Sequence, residues 1–176
     1  MKTRWAIFAS VCFFGLTGCA EGFSFLDSIS VGAGVSRHNE IAIYRLGLRK
    51  DSEYKFLQNP TGWLSGYYEA SAGFWYEGDD KIYTGAFSPV FVYYFGAPDM
   101  KIQPYIEAGI GVAGISETHL GPRNFSTGFQ FEDRIGAGVK IDSVDISIRY
   151  MHYSNGSITQ PNDGIDIFIA TVGYCF

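Results

Sequence analysis

Apolar and polar residues alternate with a period of two along most of this chain, and no helical period is sustained anywhere. In a β-strand successive side chains point to opposite faces, so each alternating run divides into two sides. The first run sets Ile29, Val31, Ala33 and Val35 against Ser28, Ser30, Gly32, Gly34 and Ser36. The second sets Ala42, Tyr44, Leu46 and Leu48 against Arg45, Gly47 and Arg49. A third places Leu64, Tyr68, Ala70, Ala72, Phe74 and Tyr76 opposite Ser65, Tyr67, Glu69, Ser71 and Gly73. The stretch from Ile82 to Phe95 is aromatic on both faces, and its phase is open. Further on, Ile106, Ala108, Ile110 and Val112 oppose Glu107, Gly109 and Gly111. Phe129, Phe131, Ile135, Ala137 and Val139 oppose Gln130, Glu132, Arg134, Gly136 and Lys140, with Asp133 breaking the phase. Val144, Ile146, Ile148 and Tyr150 oppose Asp145, Ser147 and Arg149, and an eighth strand runs from Ile165 to Phe176.

A chain of 176 residues has the length of one domain. Hydrophobic residues make up 47% and charged residues 18%, which is too apolar for a disordered chain. A net charge of -5 with no basic run excludes nucleic acid as a partner. The three cysteines form no CxxC motif and no Cys/His cluster, so no structural zinc site is expected, and nothing points to a cofactor or another metal. Lys2 and Arg4 precede an apolar stretch from Trp5 to Leu16, the pattern of a secretory signal. Two ends compete. Gly18-Cys19-Ala20 offers small residues for cleavage before Glu21, whereas Leu16-Thr17-Gly18-Cys19 resembles a lipobox that would leave a lipidated Cys19. Residues 1–20 are therefore read as the signal and residues 21–176 as the folded domain. Cleavage after Ala20 removes two bases and no acid, taking the net charge from -5 to -7, and leaves Cys175 with no intramolecular disulfide partner. Beyond this segment no apolar run reaches the roughly 18 residues a membrane helix needs.

Three architectures accommodate such strands. A sandwich buries the apolar faces between two sheets, a soluble barrel buries them inside, and an outer-membrane barrel turns them to lipid. The polar faces favour the last. Arg45, Arg49, Glu69, Glu107, Glu132, Arg134, Asp145 and Arg149 carry both signs and balance one another if they share a narrow lumen. Many of the glycines lie on the same face, where an eight-stranded interior is tight. Phe176 ends the chain, with Tyr174 before it at strand spacing, similar to the bacterial outer-membrane assembly signal. The expected fold is all-β: an eight-stranded antiparallel transmembrane β-barrel with both termini in the periplasm. His38-Asn39, Gly78-Asp79-Asp80, Glu117 to Ser126 and Asn155 to Gly164 then face outside. Ala97-Pro98-Asp99 and Asp142-Ser143 are periplasmic turns, while Lys50 to Thr61 is longer than such a turn requires.

Chemistry-bearing residues concentrate after the seventh strand, in His152-Tyr153-Ser154-Asn155-Gly156 and Gln160-Pro161-Asn162-Asp163-Gly164-Ile165-Asp166. A bare His-x-Ser is usually structural, but parity adds content. Continuing by twos from Val144 through Tyr150 reaches His152 and Ser154, and counting back by twos from Phe176 reaches Asp166. A His, a Ser and an Asp thus project toward lipid near the outer rim of adjacent strands, where polar groups are costly without partners. One reading is a set of hydrated headgroup-zone residues bonded to one another. The other is a nucleophile, its base and an orienting carboxylate.

The stretch from His152 to Asp166 resembles the lipid A 3-O-deacylase family, the PagL-type enzymes, as do the chain length, the secretory signal and the eight strands. The resemblance implies an outer-membrane hydrolase acting on the ester-linked acyl chain at the 3-position of lipid A. It implies Ser154 as nucleophile, His152 as general base, and Asn155 with the backbone amides of Gly156 or Ser157 as the oxyanion hole. The site is expected to face the outer leaflet, reached by lateral diffusion of lipopolysaccharide. The expected partners are lipid A, the surrounding outer-membrane lipids and a second copy of the chain. Two positions depart from the family: Asp166 stands where it has a glutamate, and Gly156-Ser157 where it has Ala-Gly. The shorter Asp166 requires a closer approach to His152 or a bridging water. His38 and His119 read as loop residues, Glu69 and Glu107 as interior ion pairs, and Glu77, Asp79 and Asp80 as a solvated acidic loop. The rival reading is a noncatalytic small barrel, and a third is a phospholipase of the same geometry.

Overall fold

The computed structural model describes residues 25–37 and 41–176. The segment read as a signal, both its alternative ends, and His38-Asn39 of the first outer connection lie outside the described residues. Eleven strands follow in order: β1 (Ser28–Ser36), β2 (Ala42–Asp51), β3 (Phe56–Asn59), β4 (Gly62–Glu77), β5 (Asp80–Phe95), β6 (Ile102–Ile115), β7 (His119–Leu120), β8 (Arg123–Asn124), β9 (Phe129–Ile141), β10 (Val144–Ser154) and β11 (Ile165–Cys175). Eight of them, β1, β2, β4, β5, β6, β9, β10 and β11, form a closed antiparallel barrel. Closure comes from β1 pairing with β11 on one side and β2 on the other, while β2 pairs with β4.

The parity read from the sequence is the parity of the wall. Val31, Leu46, Phe87, Phe91, Ile106, Ile110, Ile135, Ile148 and Phe168 face outward and are exposed. Arg49, Glu69, Glu107, Glu132, Arg134, Asp145 and Arg149 face inward and are buried. In β5 the open phase resolves with Ile82, Ser88, Val90, Val92 and Tyr94 inward and Tyr83, Phe87, Phe91 and Phe95 outward. Both faces of β5 are aromatic because Tyr94 joins a buried cluster with Trp63, Tyr67 and Tyr105 inside the lumen. Asp133 does not interrupt β9: the register with β6 and β10 runs through it without a shift, so its carboxylate simply stands on the outward face.

Inside, the expected charges pair. Arg45 reaches Glu132 at 2.8 Å and Glu69 at 3.0 Å, Arg134 reaches Glu69 at 2.9 Å and Glu132 at 2.5 Å, and Arg149 reaches Glu107 at 2.7 Å. Tyr153 and Tyr67 donate their hydroxyls to Glu132 and Glu107 at 2.6 and 2.7 Å. Buried charges are tolerated only when paired and hydrogen-bonded, and this network meets both conditions. Above it, at the end away from the termini, the lumen is apolar. Ile43, Trp75, Ile82, Leu120, Phe125, Met151, Ile165 and Ile167 pack there as a plug. Alternation fades in β11 for this reason, since both of its faces are apolar at that height.

Two connections differ from simple loops. Within Lys50 to Thr61, β3 folds back on the start of β4, pairing Phe56 with Leu64 and Asn59 with Gly62, which accounts for the excess length. Within Glu117 to Ser126, β7 and β8 form a small hairpin.

Candidate active site

Strand β10 carries His152 and Ser154 outward at the rim, while its inward residues Met151 and Tyr153 are buried in the plug and its charge network. That anchoring fixes the strand's rotation, so the two polar side chains cannot turn inward. In the ladder His152 lies directly opposite Asp166 of β11. Directly paired residues have Cα atoms about 4.5–5.5 Å apart, close enough for the shorter acid to reach the ring unaided. The His152 Nδ1 to Asp166 Oδ1 distance is 2.7 Å, with no bridging water required. A carboxylate only accepts, so Nδ1 carries the proton and Nε2 is left with its lone pair free.

Tyr150, two residues before His152 on the same face, donates its hydroxyl to the same Asp166 oxygen at 2.7 Å. Arg37 Nη1 stands 3.9 Å from the other oxygen, and the Arg37 backbone N–H donates to the Asp166 carbonyl. The sequence reading placed Tyr150 only among lipid-facing residues; its spacing from His152 was the available signal.

Ser154 is the last residue of β10, opposite Phe131 of β9. Gly164 packs beside it with φ of +56°, and a Cβ there would stand 3.4 Å from His152 Cε1 and 3.6 Å from Ser154 Cβ. The imidazole edge and the serine therefore border one small space. Among the described residues no hydrogen bond joins Ser154 Oγ to the ring; such contacts often tighten only when substrate arrives.

The turn after Ser154 carries the residues expected to form the oxyanion hole. Parity turns Asn155 to the inner side, where it is fully buried. Its side-chain amide donates to the carbonyls of Phe125 and Thr159, both at 3.0 Å, and its backbone N–H donates to Asn162 Oδ1 at 3.1 Å. All of its N–H groups are thus committed to holding the loop. The Ile158 N–H donates to the Asn155 carbonyl at 3.2 Å across Gly156 and Ser157, whose φ angles are +63° and +64°. Two left-handed central residues define a type I′ turn. Its central amides make no hydrogen bond among the described residues.

The β7–β8 hairpin buttresses this loop. Arg123 donates to the Gly164 carbonyl at 3.1 Å, the Asn124 backbone N–H to Asp163 Oδ2 at 2.7 Å, and Ser126 Oγ to the Pro161 carbonyl at 2.5 Å. The sequence reading gave this hairpin no part in the site, because pairing between loops leaves no periodic signal.

An apolar groove of about 710 Å³ leads away from His152 across the outer wall. Its upper row is His152 on β10, Asp133 on β9, Ile110 on β6 and Pro89 on β5; its lower row is Tyr150, Ile135, Ala108 and Phe91. Ala108 and the adjoining Gly109 make a low floor between larger flanks. His119, Glu77, Asp79 and Asp80 lie elsewhere on the outer loops, and no cluster of metal-ligating residues occurs among the described residues.

A hydroxyl beside an oriented imidazole, at the head of an apolar groove on a lipid-facing wall, suits hydrolysis of an acyl lipid. Similarity to known proteins agrees. The family model described as lipid A 3-O-deacylase (PagL) matches residues 42–175. The chain is 44% identical over 128 residues to lipid A deacylase PagL of Pseudomonas aeruginosa, covering 71% of this chain and 73% of that one. It is 34% identical over 113 residues to lipid A deacylase PagL of Bordetella bronchiseptica, covering 61% of each. The solved structure of the outer membrane enzyme PagL superposes with a TM-score of 0.80 at 39% identity, over 85% of this chain and 99% of that one. With the family model matched over residues 42–175 and the barrel shared over 85% of its length, the chain belongs to the lipid A 3-O-deacylase (PagL) family.

Proposed function

We infer that the chain, exported by residues 1–20, removes the 3-O-linked acyl chain of lipid A in the outer membrane through Ser154, His152 and Asp166. The observation that carries the mechanism is the 2.7 Å contact between His152 Nδ1 and Asp166, made on the same face as Ser154. It fixes the tautomer in which Nε2 accepts the Ser154 proton. Ser154 Oγ then attacks the ester carbonyl carbon, and the Asp166 carboxylate stabilises the imidazolium so formed. The carbonyl oxygen becomes an oxyanion, for which the free amides of Gly156 and Ser157 are the assigned donors. Asn155 supports them from behind by holding the turn. As the tetrahedral centre collapses, the bond to the sugar oxygen breaks and His152 returns its proton to that oxygen. Water, deprotonated by the same imidazole, attacks the acyl-serine and releases the fatty acid.

The site is at the end of the barrel opposite the termini and opens on its outer wall, so lipid in the outer leaflet reaches it sideways. The groove beside His152 offers the acyl chain that is transferred to Ser154 an apolar bed. The test uses purified protein with lipid A in mixed micelles. Ser154→Ala and His152→Ala each fold as the parent does and release no fatty acid, since an unassisted hydroxyl is a poor nucleophile at neutral pH. Full activity in either folded variant would overturn the assignment.

A further inference from the structure

Asp133 is an acid in the wrong place for a merely structural residue. It stands on the lipid-facing side of β9 with its ladder register intact, directly opposite His152 on one side and Ile110 on the other. One uninterrupted row across the wall therefore reads Asp166, His152, Asp133, Ile110, and His152 has a carboxylate on each flank. The two acids differ in their partners. Asp166 takes the His152 Nδ1 proton, the Tyr150 hydroxyl and the Arg37 charge. The Asp133 carboxylate has neither a hydrogen bond nor an ion pair among the described residues. Its neighbour Arg134 points the other way, into the lumen, where it pairs with Glu69 and Glu132. Asp133 lines the apolar groove that leaves His152, with Ile135 and Ile110 beside it. An ionisable group facing hydrocarbon is costly, so it is retained where something supplies a partner. None of the described residues supplies one.

We propose that Asp133 is a substrate-contacting residue that accepts a hydrogen bond from a hydroxyl or amide N–H of the lipid next to the scissile ester. Neighbouring strands are about 4.8 Å apart, so a carbonyl at Ser154 and His152 has Asp133 within a few bonds' length. Two parts of an acylated amino sugar present such donors there: a hydroxyl on the acyl chain, or the amide and hydroxyls of the sugar. The role is selection and positioning: a bare fatty ester gives Asp133 nothing to bind and leaves it desolvated against hydrocarbon.

This inference rests on the Ser154 and His152 reading, and the test separates the two. Purified parent, Asp133→Ala and Asp133→Asn are compared in mixed micelles by two readouts. The first is the rate of sulfonylation of Ser154 by a long-chain alkyl sulfonyl fluoride, which reads the nucleophile and base and has no hydrogen-bond donor. The second is kcat/KM for fatty acid release from two diacylated glucosamine lipids, one with a hydroxyl on the 3-O-acyl chain and one without. Asp133→Ala is expected to be sulfonylated at the parent rate or faster, since the alkyl chain no longer desolvates a carboxylate, and to lose about 10- to 100-fold in kcat/KM on the hydroxylated lipid, the size of a hydrogen bond to a charged acceptor. Asp133→Asn, which still accepts, loses less. If the acyl hydroxyl is the donor, the loss vanishes on the unhydroxylated lipid; if the sugar is the donor, it persists. Sulfonylation falling in parallel with lipid hydrolysis would show that Asp133 acts through His152 and overturn the proposal, as would undiminished hydrolysis in folded Asp133→Ala. A parent that is not sulfonylated, with Ser154→Ala still hydrolysing lipid, would overturn the underlying site instead.

Discussion

Replacing Asp166 by Asn is the most informative perturbation of the site, because the structure sets the size of its effect. In buried triads the same change costs about 10⁴-fold, since the amide presents an N–H to the ring and traps the wrong tautomer. Here a second donor opposes that trap. Tyr150 O–H and His152 Nδ1–H both converge on one Asp166 oxygen. A substituted amide that turned its N–H₂ toward them would have to reverse both hydrogen bonds, turning the Tyr150 hydroxyl to accept and moving the ring proton, so the oxygen is favoured in place and Nε2 remains the base. What is lost is the charge. A hydrogen bond to a charged group contributes about 1.5–3 kcal/mol, or roughly 10- to 150-fold in kcat. The partial exposure of the pair, 39% for His152 and 26% for Asp166, keeps the loss inside that range, because water also stabilises the imidazolium. Tyr150→Phe alone leaves the carboxylate and costs a few fold. The double variant frees the amide to flip and is expected to fall by about 10⁴-fold, beyond the product of the single effects. The assay is kcat for fatty acid release from lipid A by purified, folded barrels. Equal rates for Asp166→Asn with and without Tyr150→Phe would refute the tautomer reasoning, and a parent-like rate for Asp166→Asn would remove the acid from the mechanism.

Other outcomes follow from the same geometry. Ser157 occupies a left-handed position at φ +64°, where a side chain costs about 1–2 kcal/mol, so Ser157→Gly is expected to stabilise the barrel by up to about that amount in thermal unfolding and to keep turnover. Asn155→Ala removes two loop anchors beneath the turn and is expected to lower kcat far more than it lowers melting temperature, measured on the same preparation. Glu132→Ala strips partners from Arg45, Arg134 and Tyr153 in the lumen and is expected to cost about 3–5 kcal/mol in unfolding experiments.

The barrel was legible because its wall is written in parity: the two sides of β10, Val144 through Tyr150 against Asp145 through Arg149, are the two sides of the wall. The same counting on two strands puts Asp166 on the face of His152 near the outer rim; that the two are directly opposite is set by the strand register, which the sequence does not show. Where parity carried less information the reading stopped short. The inward plug of Ile43, Trp75, Ile167 and Met151 blurs alternation near the rim, because those inner faces exclude water as the outer ones do. Asp133 reads as a break in phase because an acid is unexpected on a lipid face; the unbroken register shows a regular strand with that acid on its outward side. The resemblance implies Asn155 as an oxyanion-hole residue; one position past Ser154, its side chain turns inward and holds the carbonyls of Phe125 and Thr159. The support of the site by Arg123, Asn124 and Phe125 depends on contacts between residues 30 to 41 positions apart in the chain, and no local pattern encodes that.

The most direct measurement is mass spectrometry of lipid A from a bacterium that lacks such an enzyme, expressing either the parent chain or Ser154→Ala at matched levels of folded barrel. The parent is expected to yield lipid A short of one acyl chain, with fragmentation placing the loss at the 3-position, while Ser154→Ala yields lipid A that is unchanged. Lipid A lacking the 3-O-acyl chain in both, or intact in both, would contradict the assignment of Ser154 as the nucleophile of a lipid A 3-O-deacylase.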